Sequence, residues 1–402
     1  MKTYFTLLCC LLMAMSNLQA QEHLSHFFDL EAEIPLPEWE PAGAHWVGCY
    51  DNGIVCFCPC NVDKMKKKGY VLSLHLVDVS TRMYQTVEIV LPENKQAAFW
   101  NHPYWIYNIF IDDEALLITT QQQIFEYERH DGNRFMFKRT LPVENGDFAF
   151  QSEGTVVGIS QINDVGFAIH HYQSDGSIDT TIQLPLPAPF LLQFSPNGLL
   201  KYHDGFLFAL PTPHPILQKI DLVGNLVGTT HLQFPEWVQM PEAYIAETAS
   251  LPYGPDRAML LFNSSAEYSF PLEVFPFHAQ TALLAYHQYN EERRKFEIRL
   301  KMLQTAADGT LLRAIPVSTY FQQEQTIKEY EYPVYYADRA LIFTFSSGDR
   351  WIQLVKEADF PYTGMTGLEY RQAKESYFSA HDPVVRLRVL KLKTDDDVHE
   401  NP

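Results

Sequence analysis

Between Leu199 and Pro235 the chain reads LLKYHDGFLFALPTPHPILQKIDLVGNLVGTTHLQFP. Short apolar-polar alternations are broken by His203-Asp204-Gly205, by a proline-rich corner from Pro211 to Pro215 and by Gly224-Asn225. Alternation with period two, cut by residues that favour turns, predicts four short antiparallel strands in succession.

The end of this unit recurs. An apolar residue followed by proline closes an alternating stretch at Leu36-Pro37, Leu91-Pro92, Leu141-Pro142, Leu184-Pro185, Phe234-Pro235 and Ile315-Pro316. The prolines are 55, 50, 43, 50 and 81 residues apart, and the first four intervals match the length of a four-stranded blade. Asp131-Gly132-Asn133, Asp175-Gly176-Ser177, Gly224-Asn225 and Asp308-Gly309-Thr310 precede these ends with residues that tolerate positive φ, and Thr81-Arg82 is the weaker member. The predicted fold is all-β, a six-bladed β-propeller.

Only the segment 1–26 precedes Phe27–Leu36, so that strand has no blade of its own. The last strand, Val384–Lys393, lacks an outer partner. Pairing the two completes the last blade and closes the ring, which removes open sheet edges. The alternation of the last strand slips at Val389-Leu390, which predicts a bulge there. Two segments depart from the repeat, at about 236–280 and 346–382, and insertions of this kind often carry specificity. A degenerate seventh blade within Tyr244–Phe277 is the competing account of the 81-residue interval.

Composition adds the compartment. Lys2, an apolar run from Tyr4 to Met15 and Leu18-Gln19-Ala20 make the three parts of a secretory signal over residues 1–20, leaving 21–402 as a single propeller domain. Cys9 and Cys10 raise a lipid anchor, but neither follows the small residue such a site uses. Later apolar runs are strand-sized, so no membrane insertion is expected, and the mature protein should be periplasmic or extracellular. The formal net charge of −19 argues against nucleic acid as a partner. A monomer is expected.

The repeated turns and Leu-Pro strand ends, with the signal followed by Gln21, resemble the secreted six-bladed propellers of Bacteroidetes-type bacteria, related in form to NHL and TolB-like propellers. The resemblance spans nearly all of the mature length and carries no catalytic motif. Such propellers include binding modules, scaffolds and some lactonase-like or phytase-like hydrolases, so the fold does not choose a function.

The mature cysteines cluster in GCYDNGIVCFCPC. With Asn52-Gly53 as a two-residue turn, Cys49 faces Cys56, and Cys58 and Cys60 share the side of Cys56. A Cys49–Cys56 disulfide is the first expectation for an exported protein, with unmodified buried thiols between blades or a metal or redox site as alternatives. The spacing is not that of a zinc site. His170-His171 cannot both ligate one ion from a regular strand, and no G-x-S-x-G, H-E-x-x-H, P-loop or EF-hand pattern occurs.

Connections between strands two and three, and those between blades, emerge on one face, the usual ligand face of this fold. Trp100, His102, Trp105, His214, Trp237, Arg293, Trp351 and Arg371 are the candidate ligand-binding residues there, and aromatic rings beside Arg and His suit a glycan, peptide or protein. The expected function is a non-catalytic binding or scaffold protein with no cofactor. The alternative is a lactonase-like hydrolase holding a calcium ion in the channel through rim carboxylates such as Glu144, Asp147, Asp164 and Glu242.

Overall fold

The computed structural model describes residues 24–36, 46–51, 53–59, 71–90, 106–130, 134–162, 166–185, 200–211, 214–232, 234–251, 267–278, 280–290, 295–317, 334–336, 339–345 and 385–393. Over these the fold is all-β, with six four-stranded antiparallel sheets in a propeller-like arrangement. After the N-terminal strand β1 (Phe28–Leu36), the first sheet takes β2 (Trp46–Asp51), β3 (Ile54–Pro59), β4 (Val71–Asp78) and β5 (Met83–Val90). The second holds β6 (Asn108–Ile111), β7 (Ala115–Thr119), β8 (Gln123–His130) and β9 (Arg134–Pro142), the third β10 (Gly146–Ser152), β11 (Thr155–Ile162), β12 (Gly166–Tyr172) and β13 (Ile178–Pro185). The fourth holds β14 (Leu200–His203), β15 (Phe206–Ala209), β16 (Ile216–Asp221) and β17 (Leu226–His231). The fifth has β18 (Phe270–His278), β19 (Thr281–Asn290), β20 (Lys295–Thr305) and β21 (Leu311–Val317). In the sixth, β22 (Val334–Tyr336), β23 (Arg339–Phe345) and β24 (Val385–Leu392) are completed by β1 (Phe28–Leu36) from the other end of the chain.

Burial follows position within a sheet. The second strand β7 is buried at every residue, whereas the outer strands β5 and β9 each bury only one. A strand covered on both faces needs a continuous apolar run, and an outer strand needs only one apolar side. Proline belongs on the outer strand for a related reason, since it has no N–H to give a further neighbour. Pro142, Pro185 and Pro316 all lie there.

Apolar residues fill the gaps between neighbouring sheets. Leu74, Leu76, Ile109 and Ile118 pack between the first and second, Leu117, Leu141 and Val156 between the second and third. One continuous core joins the third, fourth and fifth through Phe150, Leu207, Phe208 and Leu284. Phe28, Phe277 and Leu390 lie between the fifth and sixth, and Ile34, Leu36, Phe57 and Val77 join the sixth to the first.

The antiparallel register of β1 against β24 runs from Phe28 opposite Leu392 to Leu36 opposite Val385. Its irregularity falls where the sequence slips, but the extra residue is Glu31 of β1, between Leu30 opposite Leu390 and Ala32 opposite Val389. β24 itself pairs with β23 without a shift. Tyr244–Phe277 contains no further sheet among the described residues. Tyr244 lies in a helix, Glu242–Ser250, and Phe277 in β18, the first strand of the fifth sheet. A one-turn helix, α1 (Leu24–Phe27), leads into β1, so the longer helix is α2.

In each of the first five sheets the hairpins joining strands one to two and three to four lie at one end, and the connections from two to three and onward to the next sheet start and finish at the other; in the sixth, β22 and β23 form the hairpin and β1 pairs with β24 from the opposite end of the chain. At the hairpin end the third, fourth and fifth sheets share one turn. Gln173 N–H donates to Ser177 O, Asp221 N–H to Asn225 O and Ala306 N–H to Thr310 O, while Gly176, Gly224 and Gly309 donate back to the opening residue. Each of these glycines has φ near +87° or +88°, and each rests on the outer strand of the preceding sheet. A Cβ on Gly224 would meet Ile182 Cγ2 at 2.6 Å, one on Gly309 would meet the Thr229 backbone at 3.2 Å, and one on Gly176 would meet Leu141 at 3.3 Å. The repeated glycine therefore serves both the turn and the fit between sheets.

Candidate functional site: the loop-bearing end

By strand direction the connections from strand two to three and from sheet to sheet begin and end at the opposite end, and the ligand-binding candidates fall in these connections by residue number. Trp100, His102, Trp105, Arg293, Trp351 and Arg371 fall outside the described residues, as do Asp164 and the 346–382 insertion. His214 and Trp237 are described. His214 is half-buried in the corner between β15 and β16, where its N–H donates to Pro211 O. That corner is tied to the next connection, because Leu232 N–H donates to Pro215 O.

Trp237 anchors the connection leaving β17. Its ring lies 5.5 Å from Tyr286 at an interplanar angle of 30° and 5.9 Å from Phe234 at 66°. Glu236 accepts hydrogen bonds from Tyr286 Oη at 3.0 Å and from Lys301 Nζ at 2.5 Å. Lys301 is buried and its ammonium sits 4.3 Å from the centre of the Phe234 ring. Gln288 Nε2 donates to Glu236 O at 3.2 Å. The segment 234–237 is thus latched across the fourth and fifth sheets. Burial works against the Glu236 charge, but the hydrogen bond and charge of Lys301 prevail and hold its carboxyl below the ordinary value. Burial and the neighbouring carboxylate push the Tyr286 phenol far up, so it remains a donor. The half-buried Trp237 keeps its indole N–H buried without an acceptor.

A second polar group occupies the first strands. Asp147, second residue of β10, is 3% exposed and neither carboxyl oxygen has a hydrogen-bond partner. It is the extra residue of a bulge between Gly146 and Phe148. Burial pushes its carboxyl up to about 7, against the pull of Lys201 on β14. Lys201 is itself paired with Glu273 of β18 at 2.9 Å. Of the other rim carboxylates, Glu144 and Glu242 are exposed. Among the described residues no three His, Cys, Asp or Glu side chains gather in a metal-binding group.

The cysteine hairpin has the expected register, with Cys49 opposite Cys56 and Tyr50 opposite Val55. Cys56 and Cys58 are both buried in the core between the first two sheets. The adjacent histidines part company as strand geometry requires. His170 bonds Ser160 Oγ at 2.7 Å, and His171 bonds Leu222 O at 3.1 Å.

Sequence reading missed Asp147 as an exceptional carboxylate and missed the partners of Glu236. Burial and pairing across sheets leave no mark on local spacing, although Trp237 of the same segment was among the sequence candidates.

No family model and no curated protein matches the chain. Solved structures match the fold. A Bacteroides fragilis protein named as a candidate for export aligns with a TM-score of 0.56 at 11% identity, over 93% of this chain and 99% of that one. A member of the DUF4221 family from Bacteroides vulgatus aligns over 92% and 100% with a TM-score of 0.46 at 10% identity. A luciferin-regenerating enzyme aligns over 90% and 97% with a TM-score of 0.39 at 9% identity. Among the described residues no helix is long and apolar enough to cross a membrane. The chain has a propeller-like all-β fold similar to that of the Bacteroides fragilis protein.

Proposed function

We propose that the six sheets are the blades of one closed ring, and that the protein is an exported, non-catalytic binding propeller taking a glycan or peptide at its loop-bearing end. The shared core of Ile34, Leu36, Phe57 and Val77 supports closure, because it joins the last sheet to the first. The signal-like segment 1–20 supports export. The binding assignment rests on one observation: at the end where the described strands begin and end the connections from two to three and from sheet to sheet, Glu236 and Lys301 fix a half-buried tryptophan against Tyr286. A fixed aromatic ring with polar neighbours is a stacking platform for a sugar ring or a peptide side chain. The protein acts as a monomer without cofactor, and Cys49–Cys56 forms a disulfide in the oxidising compartment.

Glycan and peptide arrays probed with mature protein test this reading. Binding that is lost in Trp237→Ala and unaffected by chelation supports it. Binding that requires calcium, or turnover of a lactone or ester substrate, would replace it with the hydrolase. Array binding that persists undiminished in Trp237→Ala would move the site elsewhere.

A further inference from the structure

We infer that Asp147 is a ligand-binding group for hydroxyl donors, so that the loop-bearing end recognises a sugar in preference to a peptide. The inference rests on the binding function proposed above and names its ligand class. Asp147 and Lys201 are each the second residue of a first strand, on neighbouring sheets, and Lys201 reaches Glu273 on the first strand of the next. Stacking of Phe150 on Tyr202, with ring centres 3.6 Å apart, holds the first two of these strands together. Three charged side chains therefore run across three successive sheets at the end that carries the connections.

Two members of the row satisfy each other. Asp147 is left with two acceptor oxygens, almost wholly buried, and no donor. Buried polar atoms are nearly always paired, and leaving one unpaired costs about 1–3 kcal/mol. An adjacent residue has the same need: Thr119 Oγ1 is buried without a partner, and its methyl lies 3.2 Å from where a Gly146 Cβ would stand. A Cβ there would also meet Thr120 O at 2.5 Å, so glycine keeps the backbone close at the residue before Asp147.

The missing partner must donate. Lys201 already acts on the Asp147 carboxyl, which favours a neutral donor over a second cation. Vicinal hydroxyls fit, since a diol offers two O–H groups to two carboxyl oxygens.

Saturation-transfer NMR with methyl glycosides of glucose, galactose, mannose and N-acetylglucosamine tests this, with methylammonium and a short neutral peptide as competing probes. Wild-type protein is expected to bind at least one glycoside, and Asp147→Ala to weaken that binding about tenfold or more. Asp147→Asn, which keeps one acceptor, is read in place of the alanine variant if the latter does not fold. Absence of any glycoside binding, or glycoside binding unchanged in both variants, overturns the inference. Asp147-dependent binding of methylammonium alone overturns it in favour of an amine ligand. If Trp237→Ala abolishes binding of an array ligand while both Asp147 variants retain it, the loop-face function stands and this inference alone fails.

Discussion

The two ends of the sheets solve different problems. At the hairpin end, 173–177, 221–225 and 306–310 repeat the same backbone hydrogen bonds and set a glycine on the preceding sheet. At the other end the connections range in length from the three residues 143–145 to the long segments 232–269 and 346–384. A ring of sheets needs its neighbours at a fixed spacing, so the contact that sets that spacing is repeated. On the proposed reading the loop-bearing end is a recognition surface, which needs individual shapes, so its segments differ in length and one of them is secured singly through Glu236 by Lys301 and Tyr286. The difference implies that hairpin-end substitutions act on folding, while loop-end substitutions act on binding or on pH response.

The largest effect should come from breaking the repeated contact. Gly224→Val places a side chain at φ +88° and against Ile182. A loss of about 3–5 kcal/mol in urea unfolding, or failure to fold, is expected. The same substitution at Gly205, whose Cβ would meet nothing within 4 Å, should cost clearly less, since only the φ of +79° opposes it.

Asp147 should give the next effect, visible in its pH dependence. Its folded value of about 7 lies above the ordinary 3.8, so the folded state holds the proton more tightly. Stability is therefore lost as pH rises from about 4 to 7, and the loss is constant above that range. Asp147→Asn should be relatively more stable with rising pH, by on the order of 2–4 kcal/mol at pH 8. Parallel stability curves for the two proteins would contradict the burial of an ionisable group there.

Glu236→Gln should weaken the latch by about 1–2 kcal/mol, because Lys301 stays buried beside Phe234 while Glu236 is partly screened by water. Tryptophan fluorescence should shift with it.

The smallest effect belongs to the turn aspartates. Side-chain and backbone hydrogen bonds from Ser80 and Thr81 to Asp78, from Ser177 to Asp175 and from Thr310 to Asp308 hold these carboxyls below the ordinary value. Asp221, on which burial acts in the opposite sense, is lowered by Asn225. A depressed folded value contributes stability above pH 4 that fades as pH falls through it. Replacing each aspartate by alanine should flatten the acid limb of the stability curve by a small step.

These contrasts explain what the sequence made legible. Asp175-Gly176, Asp308-Gly309 and the Leu-Pro strand ends are local signals, since the turn and the outer edge each select residues by backbone chemistry alone. They located the strands, and the two strands left without partners, Phe27–Leu36 and Val384–Lys393, pair over Phe28–Leu36 and Val385–Leu392. The bulge at Glu31 was legible only as a slip in the partner strand, because the extra residue and the broken alternation sit on different strands. Lys301 and Glu236 are 65 positions apart and meet through the packing of two sheets, which no spacing encodes. Asp147 appeared as one rim carboxylate among four, since its burial depends on neighbours contributed by other sheets.

The division of labour between the two ends can be tested by hydrogen–deuterium exchange on the mature protein, with and without a ligand captured on the array. Protection concentrated at 143–147, 210–215 and 234–240, with 173–177, 221–225 and 306–310 unchanged, is the predicted result. Protection confined to those three hairpins would place recognition at the opposite end and contradict the account.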